Sequence, residues 1–190
     1  MKRRLSLAIA LLALCTFAMA DEKKPDPMME AMAAASSPGD AHSKLDAFAG
    51  TWSAKISMWM VPGMPPMVSE ATLESKWVLG KRYLEQRMTG QFMGMPFEGM
   101  GHTGYDNLKK KYWATWFDNF STGIALSTGD GDGKKWSFAG SMPDPMTGKD
   151  SIVESRLTIV DADHHTMEMW IPGPDGKAFK TMEATYTRKK

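Results

Sequence analysis

The stretch Lys44-Leu45-Asp46-Ala47-Phe48-Ala49-Gly50-Thr51-Trp52 decides how the rest of the chain is read. Ahead of it, Asp40 to Phe48 has the form of one short helix. Asp40 is a suitable N-cap, Leu45 and Phe48 fall three apart on one face, and Gly50 stands where the helix must stop. Trp52 then opens an alternating run, Trp52-Ser53-Ala54-Lys55-Ile56-Ser57-Met58-Trp59-Met60, whose period of two is that of a half-buried strand. About ten strand-like runs follow at short spacing with no second convincing helix, the pattern of an all-β barrel or sandwich. A Trp at the head of the first strand is placed to plug one end of such a barrel, with Gly50 letting the chain turn beneath it. Arg188, near the end of the last run, supplies a cation to cover that ring.

Turn chemistry separates the runs. Residues 61–66 part the first strand from 67–79, and Gly80-Lys81 leads into 82–89. The chain turns around Gly94-Met95-Pro96 into 97–105 and at Asp106-Asn107 into 111–117. The later runs are 122–128, 135–140, 151–160, 166–171 and 178–188, divided by segments rich in Gly, Asp and Pro. Hairpins in sequence order without a crossover helix predict an antiparallel up-and-down barrel closed by the last strand meeting the first. Alternation sets the faces of three strands: Trp52, Ala54, Ile56 and Met58 inward on the first; Ser69, Ala71, Leu73, Ser75 and Trp77 on the second; Met182, Ala184 and Tyr186 on the last. On the third, Tyr83, Glu85 and Arg87 share one face and Leu84, Gln86 and Met88 the other, and the pattern leaves both assignments open.

Gly50-x-Trp52 with Arg188 resembles the calycin superfamily, whose first strand opens with Gly-x-Trp and whose last carries such an Arg. More narrowly, Phe48-Ala49-Gly50-Thr51-Trp52, Trp77-Val78-Leu79-Gly80-Lys81-Arg82-Tyr83-Leu84-Glu85, Gly104-Tyr105-Asp106-Asn107 and Lys111-Tyr112-Trp113-Ala114-Thr115-Trp116 look like a lipocalin-like family of secreted bacterial proteins of unknown function. The resemblance spans residues 44–188 and implies a fold, without naming a ligand or a reaction.

Residue 1 begins a different signal. Met1-Lys2-Arg3-Arg4 is basic, Leu5 to Phe17 is apolar, and Ala18-Met19-Ala20 is a small-residue cleavage site, the three parts of a signal peptide. The apolar run is too short to span a bilayer, and no later stretch approaches the roughly 20 apolar residues that a spanning helix needs. The expected organisation is a signal peptide over 1–20, a flexible tether over 21–40 and a lipocalin-like barrel domain over 41–190, exported to the periplasm or beyond. Within the tether, Met28-Met29-Glu30-Ala31-Met32 has room for one helical turn between Pro27 and Pro38. Cleavage shifts the charge balance from 23 − 22 = +1 to 20 − 22 = −2, since Lys2, Arg3 and Arg4 leave without any acid. A near-neutral chain without a basic run gives no reason to expect nucleic acid or an anionic membrane as partner. Cys15 leaves with the signal, so no disulfide supports the domain and its stability must come from burial.

Methionine is the compositional oddity, at 18 residues. Met58/Met60, Met93/Met95 and Met167/Met169 sit two apart, which on a strand puts both thioethers on one face. Paired thioethers near His suit Cu(I); the competing reading, flexible filler for the wall of an apolar cavity, is favoured by the scatter of the pairs. His102 would be the candidate axial ligand of a haem if it pointed inward, but alternation groups it with Glu98 and Met100, opposite Phe97, Gly101 and Tyr105. His164 and His165, adjacent at a turn, point to opposite faces and do not share a ligand. Asp130-Gly131-Asp132-Gly133 lacks the third acid and the closing Glu of a calcium loop. No G-x-S-x-G elbow occurs, and no cofactor or metal is expected.

What remains is an apolar lumen with a few polar groups, the usual make-up of a small-molecule pocket. Its expected lining is Met58, Leu73, Ser75, Trp77, Gln86, Arg87, Trp116, Met182 and Tyr186, around a small apolar molecule. Two alternatives stand beside this reading: an enzyme using the same lumen, with Glu85 and Arg87 as the nearest acid–base candidates, and a filled barrel that acts through its outer surface as an envelope or stress protein.

Overall fold

Among the described residues ten antiparallel strands close into one barrel: β1 (Gly50–Met58), β2 (Met67–Val78), β3 (Tyr83–Phe92), β4 (Met95–Asp106), β5 (Lys111–Asp118), β6 (Ala125–Gly131), β7 (Lys135–Asp144), β8 (Lys149–Ile159), β9 (His164–Pro172) and β10 (Ala178–Arg188). This computed structural model describes residues 26–144, 147–173 and 175–190, so the expected signal peptide and the start of the expected tether lie outside the described residues. Every strand pairs with its sequence neighbours, and the ladder from Trp52↔Arg188 to Met58↔Met182 joins β1 to β10. Closure leaves no sheet edge exposed along its length, which removes the usual route to edge-to-edge aggregation.

Hairpin geometry follows local chemistry. Met93 and Gly94 both take positive φ, 53° and 78°, the two-residue connection whose twist matches the flanking strands. The turn is therefore tighter than the sequence pattern placed it, and β4 starts at Met95. Met93 lies in this turn and Met95 opens β4, so the two share no strand face, and Met60 lies beyond β1 in the following loop. Only Met167 and Met169 form a thioether pair along a strand among the three pairs read from sequence. The sixth strand also shifts, to Ala125–Gly131, absorbing part of the Gly/Asp segment.

Before the barrel, α1 (Pro27–Ser36) occupies residues in which the sequence allowed a single turn. Asp26 Oδ1 accepts from the Met28 N–H at 2.9 Å, Pro27 suits the first turn, and four alanines carry the helix on. None of its residues is buried. Its end is held by the β4–β5 turn, where Asn107 Nδ2 donates to the carbonyls of Ala34, Ala35 and Ser37 at 3.1, 3.2 and 2.8 Å. No helix among the described residues is long and apolar enough to cross a membrane.

The helical lead-in to β1 is α2 (Asp40–Ser43) followed by a 3-10 turn over Lys44–Phe48. It lies across one end of the barrel and presses Leu45 and Phe48 inside, against Leu84, Tyr112, Trp136 and Phe138. Tyr112 Oη donates to the Ala41 carbonyl at 2.8 Å and ties the lid to β5. Each such buried side chain stabilises the fold by about 1.5–3 kcal/mol. A second cluster, Trp52, Ala54, Leu73, Met88, Ala184 and Tyr186, begins at Trp52 beside this lead-in and continues along the inner wall.

Candidate functional site

The floor of the barrel is built around Trp52, which is 1% exposed. Its Nε1 donates to the Phe48 carbonyl at 3.0 Å, fixing the indole to the lead-in. The Arg188 guanidinium lies 4.0 Å from the ring centroid and donates to the carbonyls of Ala49, Ala47 and Ala162 at 2.7, 3.3 and 3.1 Å. Gly50, at φ 132°, leaves room for it: a Cβ there would collide with Arg188 Nη1. The structure brings together the three residues that the sequence reads as a plug. His165 completes it, stacked on Tyr186 at 4.3 Å and meeting the edges of Trp52 and Phe48 at 4.3 and 5.2 Å. Burial, with Arg188 adding to it, lowers the His165 pKa to about 3, so the imidazole is neutral. Burial alone raises that of Tyr186 to about 12.

His165 was legible but missed. Read as half of a turn, it in fact belongs to β9 with the parity of Met167 and Met169, and the same alternation that turns those inward turns His165 inward too.

Above the floor the expected pocket residues part company. Leu73 and Tyr186 are buried beside the floor, Leu73 as the cross-strand partner of Trp52 and Tyr186 stacked on His165, and Trp116 packs against their cluster. Met58 and Met182 are direct partners across the β1–β10 ladder, at its end nearest the mouth. Ser75 and Gln86 face each other across β2 and β3; Gln86 Oε1 accepts from Thr103 Oγ1 at 3.2 Å, and the buried Ser75 hydroxyl has no partner. Trp77 is inward but belongs to the floor, where its Nε1 donates to Asp46 Oδ1 at 2.6 Å.

Arg87 is a correction. Leu84 and Met88 are buried on β3, so Gln86 shares their inward face and Arg87 looks out. There Arg87 Nε meets Glu85 Oε1 at 3.0 Å, and the Arg87 hydrogen bond is the main cause holding the Glu85 pKa below its usual range. Neither member of the acid–base pair considered for an enzyme therefore faces the lumen. His102 is on the same outer surface, with Nε2 at 3.8 Å from Glu85 Oε2, as alternation predicted.

Accessibility divides the interior. Leu45, Trp52, Leu84 and Trp136 at the floor are all 2% exposed or less. Ile56, Met58, Ala71, Trp116, Met167, Met169 and Met182, on inward positions towards the mouth, are only half-buried. Trp116 lies flat on the wall because β4 offers Gly99 and Gly101 beneath it; a Cβ on Gly101 would stand 2.9 Å from its Cε3. Asp118 Oδ2 accepts from its Nε1 at 3.2 Å and fixes the ring. At the rim β2 and β3 stay paired only as far as Ala71↔Gly90, while β1–β2 continues to Met58↔Met67 and β3–β4 to Phe92↔Met95. The fork opens a hollow of about 390 Å³ lined by Met58, Met67, Ser69, Gln91, Phe92 and Met93, among others. A larger, shallower groove of about 750 Å³ runs outside the barrel over Asp130, Asp132, Lys135, Arg156 and Glu168.

The profile of DUF1579, described as protein of unknown function, matches residues 37–188, from the end of α1 to the plug arginine. The chain belongs to the DUF1579 family. Among solved structures this DUF1579 barrel is similar to Rv2717c from M. tuberculosis, at 15% identity and TM-score 0.59, covering 81% of this chain and 100% of that one. That likeness shows the fold alone. A redesigned β-barrel matches at 15% identity and TM-score 0.44, over 82% of this chain and 100% of its own. A protein with unknown function from the DUF3598 family of Nostoc punctiforme matches at 7% identity and TM-score 0.25, over 80% and 100%. No curated protein matches the DUF1579 chain.

Proposed function

We propose that this DUF1579 chain is an exported, lipocalin-like binding protein that takes a small, largely apolar molecule through the open mouth into the upper half of its barrel. The observation that carries the reading is a contrast inside the wall: the most deeply buried large side chains, Leu45, Trp52, Leu84 and Trp136, lie at the floor, whereas Ile56, Met58, Trp116, Met167, Met169 and Met182 towards the mouth are half-buried. A barrel packed solid by its own Trp and Met would bury both halves alike. The forked rim beside Met58 supports a mouth of that kind. Export rests on the sequence pattern of residues 1–20, and the lipocalin likeness on Gly50, Trp52 and Arg188.

The test is native mass spectrometry, with organic extraction, of protein isolated from its own host. The expected result is a recurrent co-purifying molecule that quenches tryptophan fluorescence when added back to stripped protein. A barrel that is always empty, and is not quenched by a panel of lipids, quinones and aromatics, refutes the reading.

A further inference from the structure

Resting on that binding reading, three features of the lumen narrow the chemistry of the ligand. The first is a flat aromatic platform. Trp116 lies flush against Gly99 and Gly101 with its Nε1 tied to Asp118, so one indole face is spent on the wall and the half-buried ring presents the other to the interior. A π-face held rigid in this way favours a flat ring over a flexible chain. The second is a phenol with nothing to bond. Tyr186 is 5% exposed, points inward from β10 and packs in the same cluster as Trp116. One face of its ring is occupied by His165, whereas its hydroxyl keeps some accessible surface and makes no hydrogen bond with any described residue. A hydroxyl reachable from an apolar lumen takes its partner from whatever fills that space, and a phenol that stays protonated to about pH 12 offers a donor at every working pH; the complementary group is an acceptor.

The third feature is the sign of the lumen. Among the inward positions of the strands the cations are Arg188, which is committed to the floor carbonyls, and Lys149, which shares the parity of Val153 but is exposed at the rim end of β8. Asp118, also inward, is acidic and already accepts from Trp116 and from the Phe120 N–H. A carboxylate such as a fatty-acid headgroup would meet no cation there and one like charge.

We propose that the lumen selects a neutral, flat, conjugated cyclic ketone, stacked on Trp116 with its carbonyl oxygen accepting from the Tyr186 hydroxyl. The walls of Met88, Met167 and Ile56 supply adaptable apolar contact at its edges.

Three probes separate the possibilities by titration calorimetry on the full protein: fluorenone, fluorene, which is the same ring system without the carbonyl, and palmitate. Wild-type protein is expected to bind fluorenone at least tenfold more tightly than fluorene, and palmitate weakly. Tyr186→Phe keeps the stack on His165 and should abolish the fluorenone advantage while leaving fluorene unchanged. Trp116→Leu should weaken both ring probes about tenfold, with far-UV circular dichroism confirming that each variant is folded. Palmitate binding more tightly than fluorenone, or a fluorenone affinity indifferent to Tyr186→Phe, overturns the ketone proposal and leaves the binding reading standing. Should none of the three bind, and protein from the host also be empty, both fall together.

Discussion

Trp52 is restrained by a hydrogen bond below, a guanidinium over its face and an imidazole at its side. Trp52→Ala should therefore cost about 3–5 kcal/mol as a large-to-small core change, read as a lower midpoint in a urea melt. Arg188→Ala should also destabilise, because three carbonyls lose their donor. If both variants melt like the wild type, the plug has been misassigned. His165 gives a pH dependence of definite sign. The unfolded chain takes up its proton near pH 6.5, the folded protein only near 3. Between those values the unfolded state binds the extra proton, so stability present above pH 6.5 is lost as pH falls, at about 1.4 kcal/mol per unit. Burial lowers the pKa of His42 as well, in the same sense. The carboxylates held low, Glu85, Asp106, Asp132 and Asp161, contribute stability that is present above their unfolded values and disappears only in more acid solution. Urea melts between pH 7.5 and 4.5 should thus show a shallower decline for His165→Phe than for the wild type, and identical slopes would rule out a buried neutral imidazole.

At the scale of single elements, α1 and β3 mark where sequence reading stops. The helix buries nothing, so no apolar stripe announces it; its alanines, its cap and a distant Asn107 account for its extent. Asn107→Ala should speed amide exchange over residues 33–37 without moving the midpoint of the barrel, whereas a matching loss of barrel stability would mean that the turn, not the helix, depends on Asn107. β3 carries large side chains on both faces, because outside the barrel Tyr83 packs against Trp113, rings tilted and 5.4 Å apart, over the bare backbone of Gly104. Two apolar faces blur the period of two, and alternation alone leaves the strand undecided. One restriction was nevertheless available: Gln86 and Arg87 are neighbours on one strand, so both cannot face the lumen. By contrast β1, β2 and β10 alternate cleanly, and their inward residues were legible from residue types alone.

For the whole molecule, the up-and-down order of ten strands was readable because each turn carries its own chemistry and the Gly50, Trp52 and Arg188 anchor names the two strands that must meet. The division into a sealed floor and an accessible mouth was not readable, since it depends on how far a lead-in helix reaches across the barrel end and on where β2 and β3 part. The β1–β10 closure has a further consequence, in time instead of space. Arg188 grips the carbonyl of Ala49 from 139 positions away, and loops of that span form slowly. While the chain is being made, β1 waits for a partner that is synthesised last, and the plug has no cover until residue 188 has emerged from the ribosome. Until the β1–β10 ladder forms, any paired array of the other strands keeps two unsatisfied edges, one at β1 and one at β10.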